Sequence, residues 1–80
     1  MRISWKAKVQ KGLRIQVPRN IRAYYKLKTG SLYKIQFYNG ITIEEWIGKL
    51  SSDGRFKIPL IIAERMKIKP RQTLSVTLET

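Results

Sequence analysis

Residues 5–38 read WKAKVQKGLRIQVPRNIRAYYKLKTGSLYKIQFY, and residues 46–79 read WIGKLSSDGRFKIPLIIAERMKIKPRQTLSVTLE. A shift of 41 positions sets Trp5 on Trp46, Lys8 on Lys49, Pro18 on Pro59, Lys26 on Lys67 and Lys28 on Lys69. The apolar residues follow: Val9/Leu50, Ile15/Phe56, Val17/Ile58, Ile21/Ile62, Leu27/Ile68, Ile35/Val76 and Phe37/Leu78. The turn glycines, Gly12 and Gly54, pair at a shift of 42, which predicts a loop one residue shorter and a strand one residue longer in the first copy. A fixed internal period of this kind marks a duplicated structural unit, with halves at about 1–40 and 41–80.

Each copy spells strand, turn, strand, short helix, strand. Ile3–Val9 alternates apolar with polar or basic residues, as a half-exposed strand does. Gln10-Lys11-Gly12 supplies a turn, and Leu13–Val17 a second alternating strand, so the two form a hairpin. Pro18 suits a helix start because its missing N–H is unneeded there. The spacing predicts a helix over Arg19–Lys26 with Ile21, Tyr24 and Tyr25 facing inward. Leu32–Tyr38 is rich in aromatic and β-branched residues and reads as a strand. Asn39-Gly40 predicts a type I′ hairpin turn leading into Ile41–Ile43, which continues into the first strand of the second copy. That copy gives a turn at Ser51–Gly54, a strand at Arg55–Ile58, a helix over Leu60–Lys67 and a closing strand over Thr73–Leu78. With no linker between the halves, a single domain over 1–80 is expected.

The 80 residues contain no cysteine and no histidine, so disulfides, thiolate zinc sites and histidine-based catalysis are excluded. Glu44 and Glu45 are adjacent on a strand, hence on opposite faces, and no nucleophile or metal ligand accompanies them. Neither an enzyme nor a cofactor or metal is expected. No apolar run nears the roughly 20 residues of a membrane span, and no signal-peptide pattern opens the sequence. A soluble cytoplasmic protein without membrane contact is expected.

Charge points to the partner. The chain carries 17 Lys and Arg against 5 Asp and Glu, a formal charge of +12. Residues 1–40 hold ten of those cations and no acid, a half that cannot form the mixed ion-pair networks of heat-adapted surfaces. Such an excess fits a polyanion, because each cation near a phosphate releases a condensed counterion.

The string Gly12–Arg22, GLRIQVPRNIR, followed by Leu27-Lys28-Thr29-Gly30-Ser31, resembles the AbrB/MazE/SpoVT family of DNA-binding domains; Gly54–Pro59 with Ile68-Lys69-Pro70 repeats the pattern. The resemblance covers nearly the whole chain, twice. It implies a mostly-β fold with two short helices, a swapped-hairpin or related cradle-loop (double-psi-like) β-barrel with internal pseudo-twofold symmetry, as in a fused pseudo-dimer. It also implies duplex DNA as partner, bound by basic residues of the hairpins and helix starts; carried over by position these are Lys8, Arg14, Arg22, Lys49 and Arg55, and the basic first half adds Lys6, Lys11 and Arg19 as candidate contacts. At the position of Arg22 the second copy has Ala63, followed by Glu64, so the first copy is expected to make most of the contact. A nucleoid-associated transcriptional regulator and a chromatin-type protein both fit. An RNA-binding module and an antitoxin-like or adaptor barrel that binds protein are the alternatives, and the chain is either a monomeric pseudo-dimer or a homo-oligomer. Trp5 and Trp46 are expected in packing rather than on bases, and Tyr24, Tyr25, Tyr33 and Tyr38 half-buried.

Overall fold

The computed structural model describes residues 1–80. Its elements in order are β1 (Arg2–Lys8), β2 (Arg14–Gln16), α1 (Arg19–Tyr24), β3 (Leu32–Tyr38), β4 (Ile43–Lys49), β5 (Arg55–Lys57), α2 (Leu60–Met66) and β6 (Thr73–Glu79). The protein is mostly β with two short helices. β1, β6, β3 and β4 form one antiparallel sheet in that order, and β2 with β5 forms a separate two-stranded ribbon. The sheet is not closed by hydrogen bonds, so the expected barrel reduces to an open sheet with a ribbon against it; β1 and β4 remain edge strands. No helix is long and apolar enough to cross a membrane.

The period-two pattern sets which residues face the interior. Ile35 and Phe37 of β3 and Leu74, Val76 and Leu78 of β6 point to one side of the sheet, while Ile15 and Phe56 point back from the ribbon. Together with Val9, Val17, Leu50, Ile58 and the inner face of α2 they make one continuous apolar cluster, with no polar or charged side chain buried in it. Trp5 and Trp46 lie half-buried against it, as expected. The Trp5 Nε1–H donates to the Gln16 carbonyl at 3.3 Å, and Trp46 meets Phe37 edge-on at 4.5 Å.

Three local expectations are corrected. The connections 9–13 and 50–54 are equal in length, and β2 and β5 are equal strands. The first half has no shorter loop; Leu13 adopts a left-handed conformation (φ 56) at the place where the second half has Gly54 (φ 77). Asn39-Gly40 is not a type I′ turn, since only Gly40 takes positive φ. The Asn39 side chain organises a longer loop instead. Its Oδ1 accepts from the Ile41 and Thr42 N–H groups at 2.9 and 2.8 Å, and its Nδ2 donates to the Met66 carbonyl at 3.2 Å. Finally, α1 buries no residue and Tyr24 is 79 % exposed, whereas α2 buries Ile62, Ala63 and Met66. Only α2 is a core helix.

Asn39 thus ties the β3–β4 loop to the end of α2. Asn39→Ala leaves two backbone donors and a helix-terminal carbonyl to find water, and is expected to cost about 1–2 kcal/mol in a urea melt. Asn39→Asp keeps the acceptor but turns a carboxylate toward the Met66 carbonyl, and is expected to recover only part of that loss.

Candidate nucleic-acid interface

The ribbon is the best-defined cationic surface. Its register sets Arg14 opposite Lys57 and Gln16 opposite Arg55, with Ile15 and Phe56 turned inward. The four polar side chains therefore share the outward face. They divide into two ends of different electrostatics.

At one end Arg55 is neutralised within the molecule. Its Nη1 donates to Asp53 Oδ2 at 3.1 Å and its Nε to Gln16 Oε1 at 2.9 Å. The Gln16 amide in turn donates to the Asp53 and Gly54 carbonyls, both at 3.1 Å. The Ser51 hydroxyl on Asp53, helped by the charges of Arg55 and Arg14, holds that carboxyl below its ordinary value of 3.8 and outweighs the opposing effect of desolvation. Arg22 belongs to this end too. Half-buried, it donates Nε to the Val17 carbonyl at 3.1 Å, and its guanidinium fills the space where a side chain at Gly54 would stand. Arg22 and Arg55 therefore hold protein groups. Arg19, at the start of α1, is exposed and unpaired.

The other end has no acid. Arg14 and Lys57 face solvent side by side, and neither is in an ion pair. Beside them the turn carrying Lys11 is fixed by the Gln10 N–H on the Arg14 carbonyl at 2.8 Å. Val9 then brings in the second half of the chain: it donates to the Gln72 carbonyl at 2.8 Å and accepts from the Arg71 N–H at 2.7 Å. Gln72 Oε1 accepts from the Lys69 N–H at 3.1 Å. These backbone contacts bring the segments that carry Lys8, Lys11, Arg14, Lys57, Lys69 and Arg71, all exposed, to one end of the ribbon.

Of the residues singled out in the sequence, Lys8, Lys11 and Arg14 come together here. Lys6 lies further along β1 on the outer face of the sheet, and Lys49 lies on the opposite edge strand, β4. Lys57, Lys69 and Arg71 were not singled out. The Lys67-Ile68-Lys69-Pro70-Arg71 run was a legible signal, but nothing in the sequence ties it to the first hairpin.

No protein-family model matches the chain, and no curated protein matches it in sequence. Its fold is similar to the solution structure of PHS018 from Pyrococcus horikoshii, with a TM-score of 0.81 and 24 % identity over 95 % of this chain and 87 % of that one. That likeness concerns the fold.

Two predictions follow from the Arg55–Arg22 end. Gly54→Ala forces a Cβ into the Arg22 guanidinium at a positive φ, and is expected to cost more than about 1 kcal/mol. In an Arg22→Ala background the same change costs less, a coupling that a double-mutant cycle measures. For Asp53 the folded pKa is the lower one, so the unfolded chain binds more protons. Its contribution to stability is complete above about pH 3.8 and is lost as pH falls through the folded value, which a carboxyl NMR titration alongside acid melts will show.

Proposed function

We propose that this chain binds the phosphate backbone of duplex DNA, as a chromatin-type protein built from two intertwined AbrB-like half-units in a swapped-hairpin arrangement. The observation that carries the reading is the acid-free end of the ribbon. Arg14 and Lys57 are directly opposed cations, a placement that costs free energy in the free protein. Four further bases surround them, and a run of phosphates relieves the repulsion by supplying the missing counter-charge.

The two-half architecture is supported by the ladder registers. Adding 41 to a residue of one half and subtracting 41 from its partner turns Arg2–Glu79 into Ile43–Tyr38, Arg14–Lys57 into Arg55–Gln16, and Lys34–Glu79 into Ser75–Tyr38. Each product is itself an observed pair. The two halves differ in charge placement, and the binding end draws on both: Lys8, Lys11 and Arg14 from the first, Lys57, Lys69 and Arg71 from the second.

Backbone binding without strong base readout is favoured over a sequence-selective regulator because the amide side chains are occupied. Gln16, Gln36, Asn39 and Gln72 all accept hydrogen bonds from the protein itself. Gln10 beside the cations and Asn20 on α1 are the uncommitted amides. Base edges are read mainly by such groups or by bidentate arginines, whereas backbone contacts carry no sequence information.

Arg71 separates this reading from a merely structural one. It holds φ 74, while the residue 41 positions earlier, Gly30, holds φ 83. An arginine there costs about 1 kcal/mol that glycine would not. Arg71→Gly is therefore expected to raise stability and weaken duplex binding together. Arg14→Ala with Lys57→Ala is expected to weaken binding further and to flatten the log–log salt dependence by about two, one per lost phosphate contact. Salt-titrated fluorescence anisotropy on duplex DNA, with structured RNA as competitor, checks these. Affinity indifferent to salt, or unchanged in all three substitutions, overturns the reading. Equal or tighter binding of RNA transfers it to RNA.

A further inference from the structure

The two edge strands of the sheet are equally long and oppositely equipped. β1 presents Arg2, Ser4, Lys6 and Lys8 on its outer face, and β4 presents Ile43, Glu45, Ile47 and Lys49. Unpaired edges invite pairing with another chain, and like charges along an edge are a usual way to prevent it. β1 is guarded in this way. Antiparallel pairing of β1 with a second β1 over most of its length, outer face beside outer face, sets cations against cations. β4 has no such guard, and Ile43 and Ile47 stand 59 % and 68 % exposed on it.

The backbone of β4 is oriented to pair. Leu50 donates to the Ser31 carbonyl and Thr42 accepts from the Asn39 N–H, so the even-numbered residues of this strand bond toward β3. By antiparallel alternation, the N–H and C=O groups of Ile43, Glu45, Ile47 and Lys49 point away from the sheet. The side chains of these same residues occupy the outer face.

We propose that β4 is the contact of a two-fold symmetric homodimer, pairing antiparallel with β4 of a second copy about Ile47. In that register Ile47 meets Ile47 of the second copy. Glu45 stands directly opposite Lys49 of the second copy at one end, and Lys49 opposite its Glu45 at the other. On the inner face Trp46 falls opposite Gly48 of the second copy, large against small. Opposite-charge and apolar cross-strand pairs are the units that stabilise a sheet, and both kinds occur here in one self-complementary register. The operation is isologous, so the pairing closes at two copies and joins two four-stranded sheets into one of eight. It leaves the cationic end of the ribbon free in both copies and does not depend on what that end binds.

Sedimentation equilibrium on the nucleic-acid-free protein tests the proposal. The wild type is expected to rise with concentration from 9.4 kDa toward twice that mass and stop there. Glu45→Lys alone and Lys49→Glu alone each set like charges opposite one another at both ends, and are expected to remain at the single-chain mass. An equimolar mixture of these two variants restores an opposite-charge pair at both ends, and is expected to dimerise. Thermal melts by circular dichroism establish that each variant is folded. Because Glu45 also lies 3.8 Å from Lys34 within the chain, Lys49→Glu, which touches no internal pair, serves as the independent variant. A wild type that stays at the single-chain mass, variants that dimerise unchanged, or a mass climbing past two chains would each overturn it. The last outcome would instead signal head-to-tail pairing of β4 with β1.

Discussion

The antiparallel ladder between β3 and β6 is the contact on which the rest of the molecule depends. It joins strands from the two halves of the chain and places Ile35 opposite Leu78 and Phe37 opposite Val76, all four fully buried. Each of these strands then carries an edge strand on its far side: β6 carries β1, and β3 carries β4. Neither half of the sequence can bury its own apolar face, because the partners of each third strand come from the other half. A piece of about 40 residues is also near the size below which a core of its own rarely suffices. Folding must therefore bring distant segments together before much apolar area is buried, a topology expected to fold slowly for its size.

This dependence explains what could be read from the sequence. Local periodicity found β3 at its true limits, because Leu32–Tyr38 alternates cleanly and turn residues flank it. It also found both helix starts, where Pro18 and Pro59 interrupt the strands. It misjudged the Asn39-Gly40 loop because a side chain that accepts two backbone hydrogen bonds can displace the backbone conformation usual for that dipeptide. The proposed binding end was half legible. Lys8, Lys11 and Arg14 were visible as a cluster in sequence, but Lys57 lies opposite Arg14 only through the β2–β5 register. Arg71 reaches Val9 only through a loop contact. Counting charge by position along the chain made the second half look inert. Counting it by position in space does not.

The strained positions follow a related logic of exchange between the halves. Gly54 leaves room that the Arg22 guanidinium occupies. At the positions 41 residues away, the glycine is replaced by Leu13 and the arginine by Ala63. The larger residue is on the helix in one half and on the turn in the other. Leu13 accepts a left-handed conformation at some cost, and in return adds apolar surface against the core. This accounts for the unequal helices. α2 packs through Ile62, Ala63 and Met66, while α1 is held at its start by a charged side chain and leaves Tyr24 in solvent.

The few acids decide how the charge of +12 is felt outside the molecule. Asp53 is engaged by Arg55, Glu45 by Lys34 and Glu44 by Arg65, so three of the five carboxylates spend their field on near neighbours. Exposed pairs such as the two at 3.8 Å contribute little to stability. They leave the Arg14–Lys57 end of the ribbon facing solvent without an ion-paired acid. Self-repulsion there opposes the compact state, and any polyanion that binds only the folded form offsets it. On the proposed reading, part of the stability of this fold therefore resides in its ligand. On that reading, the Arg14–Lys57 pair and the strained Arg71 are where that exchange is most concentrated, because at those residues the free protein gives up the most and a bound phosphate would return the most.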